Sequence, residues 1–302
     1  MWYNKEGVND MGDNSTQVEG IAEWESLTLS NDFMFYKIMQ DKVLLTELIH
    51  RILPDVEIGR IKIRAQKTVK IGPDIHGVRF DIFVRDSAGR MITIEMQVVN
   101  QPYLPKRLRY YSSIGDTQVL EKGMLYSDLP ESYVIVICPF DFYGKGLHKY
   151  TFRCLCEEIS GLSMNDETTY IILNANGTNN DVDEKLRAFL DYIAGKKTDV
   201  VDPYIKQLED AVKRAHMNKE WRRAYMTLAQ RDMENKAMGR AEGKAEGKAE
   251  GKAEGKAEGR NEFKDITNKL NSGMSVEELI ASGYPMDIIQ EAQEFLSGLT
   301  II

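Results

Sequence analysis

Long apolar runs are missing from this chain. The fullest, "YVIVI" at Tyr133–Ile137, falls far short of the roughly 18 consecutive apolar residues that a membrane helix needs, so no membrane partner is expected. The opening residues "MWYNKEGVND" also lack the basic-then-apolar pattern of a secretory leader. Cysteine is scarce: Cys138, Cys154 and Cys156 are an odd number and form no even disulfide framework, which makes a reducing, cytoplasmic setting the default expectation. The Cys154-x-Cys156 pair has only His148 as a further soft ligand nearby, too few donors for structural zinc. Positive charge is in deficit. Lys and Arg number 39 against 47 Asp and Glu, a net of −8, so the bulk balance does not advertise nucleic-acid binding.

What is present is the composition of a soluble globular protein, 42% hydrophobic and 28% charged, long enough for one good core and a small extra module. Basic residues gather locally in "RIKIRAQKTVK" (Arg60–Lys70) and "KRLR" (Lys106–Arg109), islands that suit either phosphate contact or a solvated face. Residues 1–27 are polar and read as a flexible N-terminus. "NDFMFYKIMQDKVLLTELIHRIL" spaces Phe33, Phe35, Ile38, Val43, Leu45, Leu48, Ile49 and Ile52 as one amphipathic helix, with Asp32 as N-cap and Pro54 beyond its end. "VEIGRIKIRAQKTVK" alternates like a strand through Ile58, Ile61 and Ile63, and "FDIFVRDSAGRMITIEMQ" (Phe80–Gln97) reads as a hairpin. "YLPKRLRYYSSIGDTQVLEKGM" is a helix with prolines at its start and Gly123 near its end. "SYVIVICPF" is a strand covered on both faces. Helix, three strands, helix, strand predicts an α/β layer with a mixed sheet.

Two further strands, "HKYTFRCLCEE" and "TTYIILNA", and a helix over 181–195 complete a domain expected at 28–200, with a helical extension at 201–238. The repeat "GRAEGKAEGKAEGKAEGKAEGR" (Gly239–Arg260) has a four-residue period that sets Glu over Glu and Lys over Lys at i+4. Each glycine costs a helix about 1 kcal/mol relative to alanine, so a frayed helical linker, or one held by a partner, is expected. Residues 261–302 carry a Ser275-x-x-Glu278 capping box and the rhythm of a small helical cap, too short to bury much surface without self-association.

The hairpin poses a chemical question, because each apolar strand carries an acid. "DSAG" fits a three-residue loop with Gly89 in the left-handed position after a type I turn. That register opposes Asp86 to Arg90, Val84 to Ile92, Phe83 to Thr93 and Asp81 to Glu95. Alternation then gives Phe80, Ile82 and Val84 one face with Ile92, Ile94, Met96 and Val98, while Asp81, Glu95 and Gln97 share the other. Opposed side chains sit about 4.5–5.5 Å apart at Cβ, where like charges destabilise the pair. Three readings fit: a divalent cation that welcomes oxygen ligands, a shared proton, or an exposed face neutralised by Arg79 and Arg85.

Asp81, then Glu95-x-Gln97 on the next strand, followed by a basic, tyrosine-rich helix, resembles the PD-(D/E)XK nuclease superfamily. More narrowly, the run from "NDFMFYKIM" through "FDIFVRD", "IEMQ" and "RLRYYSS" looks like the recombination-promoting nuclease (Rpn) family with its transposase-like members. The likeness spans roughly residues 30 to 230, and the Gly/Lys/Glu/Ala repeats before a small cap also look like that family. The resemblance implies a restriction-endonuclease-like αβββαβ core with a mixed sheet, a helical C-terminal extension, and metal-dependent cleavage of DNA phosphodiesters. Carried over, Asp81 and Glu95 are metal ligands for Mg²⁺, or for Mn²⁺ or Ca²⁺, and Asp32 is a further candidate acid. Gln97 stands where the usual lysine is found; glutamine can orient water but brings no positive charge. Pro73-Asp74 spells the superfamily's nominal dipeptide, but "IGPDIHG" reads as a loop, so Asp81 is preferred. Arg107 and Tyr111, one helical turn apart, and Lys106 and Arg109 are the candidate DNA contacts. The expected partners are DNA and a second copy of the chain, joined through the C-terminal region. A DNA-binding or assembly protein with a weak or dead site on the same scaffold is the alternative.

Overall fold

The apolar stripe of residues 33–52 is carried by two helices rather than one. The computed structural model describes residues 23–65, 68–69, 78–120, 122–197 and 201–299. In it α1 (Asp32–Ile38) stops short and α2 (Lys42–Ile52) begins afresh. Asp41 causes the break: its Oδ1 accepts from the Val43 and Leu44 N–H groups at 2.8 and 3.3 Å, an N-cap that favours a new start over continuation. The cap of α1 is Asn31, which accepts from Met34 N–H at 3.1 Å. Asp32, expected in that role, is instead the first helical residue, and its Oδ1 accepts from Phe33 N–H at 2.7 Å.

After α2 come β1 (Lys62–Ala65), β2 (Thr68–Val69), β3 (Val78–Arg79), β4 (Ile82–Arg85) and β5 (Met91–Met96). The strand expected from Ile58 is shorter than its alternation suggests; Ile58 and Ile61 are buried, but in irregular chain before β1. Residues 1–22 and Pro73-Asp74 lie outside the described residues. Next are α3 (Leu104–Asp116), β6 (Ser132–Cys138), β7 (Lys149–Phe152), β8 (Thr168–Asn174), α4 (Glu184–Ile193) and α5 (Pro203–His216). The main sheet has six strands in the order β1-β4-β5-β6-β8-β7. β1, β4 and β5 run antiparallel, β5-β6 and β6-β8 are parallel, and β7 returns antiparallel to β8. This is the mixed α/β architecture expected.

The parallel β5–β6 pair requires a crossover, and α3 provides it. Leu104, Leu108, Tyr111 and Ile114 recur at helical spacing and are buried with Phe83, Met91, Val134, Val136, Cys138 and Ile172. Each such aliphatic or aromatic burial is worth about 1.5–3 kcal/mol, which fixes α3 over this face of the sheet. Phe80 joins the same cluster, its ring 5.4 Å from that of Tyr111. Strict alternation had put Phe80 beside Ile82; the chain bends at Asp81, just before β4, and turns the ring to the α3 side. Ile82, Val84, Ile92, Ile94, Ile135 and Ile137 are buried on the opposite face, where α1 touches β5.

The chain divides into two units, Met1–Thr227 and Leu228–Ile302. A helix of 53 residues, α6 (Lys219–Asn271), contains the whole Gly239–Arg260 repeat, the segment that reads in sequence as a frayed or partner-held helical linker. Residues 231–258 are exposed throughout. In the second unit, Ile266 of α6 is buried with Leu279, from α7 (Val276–Ala281), and with Ile289 and Ala292, from α8 (Met286–Leu299). The Ser275–Glu278 capping box forms as read. Among the described residues, no helix is long and apolar enough to cross a membrane.

Candidate active site

The hairpin has the register that its loop demands. Arg85 opposes Met91, Val84 opposes Ile92, Phe83 opposes Thr93 and Ile82 opposes Ile94. Asp86 N–H donates to Arg90 carbonyl at 3.2 Å, and the loop turns through Gly89 at φ +92°. Continuing the ladder brings Asp81 opposite Glu95, but there side chains replace the backbone carbonyls as acceptors. Asp81 N–H donates to Glu95 Oε1 at 2.9 Å, and Met96 N–H donates to Asp81 Oδ2 at 3.2 Å. Each acid is therefore held by a backbone N–H of the other strand, and the two carboxyl groups also bond to each other.

Glu95 shares the α3 face with Phe83 and Met91 and is only 3% exposed, which removes the reading of a solvated acidic face. Burial, reinforced by the Asp81 charge, pushes the Glu95 carboxyl well above the usual carboxylate range, while Asp81 N–H and Arg107 pull it back. Two like charges held together do not both ionise readily, so the bare pair gives up its last proton less easily than two separate carboxyls would.

That chemistry suits a divalent cation. The donors are hard carboxylate oxygens, and a cation in place of the proton would remove the repulsion that Glu95 suffers. Among the described residues, no three His, Cys, Asp or Glu side chains converge. Two protein carboxylates with the remaining positions left to water and phosphate oxygens is the arrangement that Mg²⁺ favours. Asp32 does not join them; it remains at the start of α1, where its charge acts on Tyr225.

Gln97 continues the same face, 6% exposed, with both ends of its amide engaged. Nε2 donates to the Val99 carbonyl, and Oε1 accepts from Arg107 Nη1 at 2.6 Å. Arg107, from α3, also donates through Nε to the Tyr111 hydroxyl at 2.9 Å, and its Nη2 stands 3.6 Å from Glu95 Oε2. Burial, with the Glu95 charge, pushes the Tyr111 hydroxyl up to about 12, so it stays protonated at neutral pH. The two basic residues flanking Arg107 behave differently: Lys106 and Arg109 are exposed on the outer side of α3. The structure thus brings together Asp81, Glu95, Gln97, Arg107 and Tyr111. What the sequence did not reveal is the bond from Arg107 to Gln97, since neither strand alternation nor helical spacing says which residue of α3 meets which of β5.

The family model described as PD-(D/E)XK nuclease family transposase matches residues 29–240. No curated protein matches, and no solved structure does.

Proposed function

The chain belongs to the PD-(D/E)XK nuclease family transposases, and on that premise we propose that it is a metal-dependent DNA endonuclease whose cation is held by Asp81 and Glu95. Membership gives a nuclease-like protein of mobile DNA, of a kind that generally uses divalent metals and takes DNA as substrate. The observation that carries the finer reading is the opposed acid pair, Glu95 buried and Asp81 half-buried, which sets two like charges together where they repel. A bound divalent ion, Mg²⁺ first and Mn²⁺ or Ca²⁺ through the same donors, supplies positive charge that acidifies water and polarises the phosphodiester.

The remaining work falls to the chain itself. Water adds across the P–O bond: its oxygen bonds to phosphorus, the bridging sugar oxygen leaves with a proton, and a phosphomonoester and an alcohol result. The backbone N–H groups of Asp81 and Met96 hold the two carboxylates facing one another, so the site is organised before DNA arrives. Lys106 and Arg109, exposed on α3, meet the DNA backbone, where they fix position without reading sequence. The protein acts in the cytoplasm, in recombination or mobility of DNA. A second copy joins through the C-terminal unit, whose exposed Ile280, Met286 and Phe295 offer apolar surface, and two sites serve the two strands of a duplex.

Purified protein is expected to nick supercoiled plasmid with Mg²⁺ or Mn²⁺ and not with EDTA, and Asp81→Ala to abolish cutting while DNA binding persists. Equal cutting by Asp81→Ala and wild type sinks this reading. One observation favours the rival, a binding protein with a weak site: both ends of the Gln97 amide are already engaged, which leaves one N–H and one lone pair to orient water.

A further inference from the structure

Strand position 97 offers an uncharged amide, yet the acid pair is not without a cation. Which end of the amide faces Arg107 follows from chemistry: guanidinium only donates and the Val99 carbonyl only accepts, so Oε1 faces Arg107 and Nε2 faces Val99. Gln97 is therefore a bracket between the loop after β5 and the helix. Tyr111 is the second bracket, its hydroxyl accepting from Nε and its ring 5.1 Å from the guanidinium carbon. Held at both sides, Arg107 aims Nη2 at Glu95 Oε2 from 3.6 Å, beyond direct hydrogen-bond length, and so leans over the acid pair without being consumed by it.

We propose that Arg107 is the catalytic cation of the site, delivered from α3 to the place that Gln97 leaves uncharged, with Gln97 and Tyr111 as its positioning residues. This rests on the nuclease reading. Arg107 contacts the scissile phosphate and stabilises the negative charge that builds on its oxygens as water adds. A guanidinium stays charged at every working pH, so its part is a fixed charge and a fork of donors, never a proton carrier. Lys106 and Arg109, exposed on the same helix, hold DNA by contrast through its backbone at large.

The test uses full-length wild type, Arg107→Met, Gln97→Lys and the double variant Gln97→Lys/Arg107→Met, each checked by melting, on supercoiled plasmid with Mn²⁺. Arg107→Met keeps the apolar stem and is expected to lower kcat on the order of 10²-fold with KM little changed, the size of losing one preorganised donor. The double variant puts a cation back on the strand and is expected to recover much of that loss, whereas Gln97→Lys alone sets two cations together and does not help. Calorimetric titration with Mn²⁺ gives a readout apart from cutting. Removing a cation beside the ligands should tighten Mn²⁺ binding in Arg107→Met, whereas damage to a merely structural residue would loosen it. Wild-type cutting with kcat unchanged in Arg107→Met, or no recovery in a double variant that melts like wild type, overturns the inference alone. Absence of cutting by wild type overturns the nuclease reading and this role with it.

Discussion

Glu95 is a buried carboxyl beside another carboxyl, and its titration ties stability to pH. Unfolded, it loses its proton near the ordinary value of about 4.3. Folded, burial and the Asp81 charge hold the proton to well above that. Between the two values the unfolded chain binds fewer protons than the folded one, so stability must fall as pH rises through this window and level off above the folded value. Thermal melts of metal-free protein are expected to show that decline, and Glu95→Gln to flatten it. Mg²⁺ or Mn²⁺ should restore stability most at the alkaline end, where it no longer competes with the proton. Arg51 gives the opposite case. Its side chain is 4% exposed, forked onto Asp202 at 2.5 and 2.9 Å, bonded to Glu47 and stacked 4.4 Å over the Tyr204 ring. The bond from Arg51 holds Asp202 below the usual range, so this contribution is present above about pH 3.9 and is lost as pH falls through the folded value. Asp202→Ala strips a buried guanidinium of its forked partner and leaves it Glu47 and the Lys185 carbonyl, and is expected to cost on the order of 3 kcal/mol in denaturant unfolding. The sequence did carry a sign of Arg51, which follows Leu44 and Leu48 at helical spacing on the buried side of α2. Its partner across 151 residues was not readable from spacing.

The hairpin is the element where sequence and structure agree most closely, because local chemistry decides it. Gly89 tolerates φ +92°, the loop length then sets the register, and the register opposes Asp81 to Glu95. Gly89→Ala is expected to cost on the order of 1–2 kcal/mol, read as a lower melting temperature, with a matching loss of cutting if the acids fall out of line. The crossover helix was equally plain, since Leu104, Leu108, Tyr111 and Ile114 repeat with the helical period and the prolines mark its start. Misreadings arose where one polar side chain outweighed a pattern. Asp41 caps a new helix inside a continuous apolar stripe, and the bend at Asp81 takes Phe80 off the alternation. What no period could supply was the covering of the acid face. Alternation gives a strand two faces and leaves open which of them a helix will bury, so a solvated Glu95 and a buried one read alike.

At the scale of the whole chain, α6 stands apart in what stabilises it. From residue 231 to 258 its side chains are exposed, and within the repeat every i,i+4 pair of charges is of like sign. Its helicity there rests on backbone propensity against glycine and repulsion. Replacing Gly239, Gly243, Gly247, Gly251, Gly255 and Gly259 by alanine is expected to add about 1 kcal/mol each to helix formation, seen as greater thermal persistence of the helical circular dichroism signal. Added salt should raise that signal in the wild type by screening the like-charged neighbours. The first unit, by contrast, closes around contacts distant in sequence, and this bears on the crossover helix that brings Arg107 to the acids. Asp81 and Glu95 lie in one hairpin, which forms on a scale of about 1–10 μs. Arg107 lies on the next element, fixed only when Leu104 and Leu108 settle against Val134 and Val136 of a strand still further along the chain. Under the proposed roles, the two acids can pair within one local hairpin, whereas their cation is in place only once distant strands have packed, so a half-folded copy would lack the complete site.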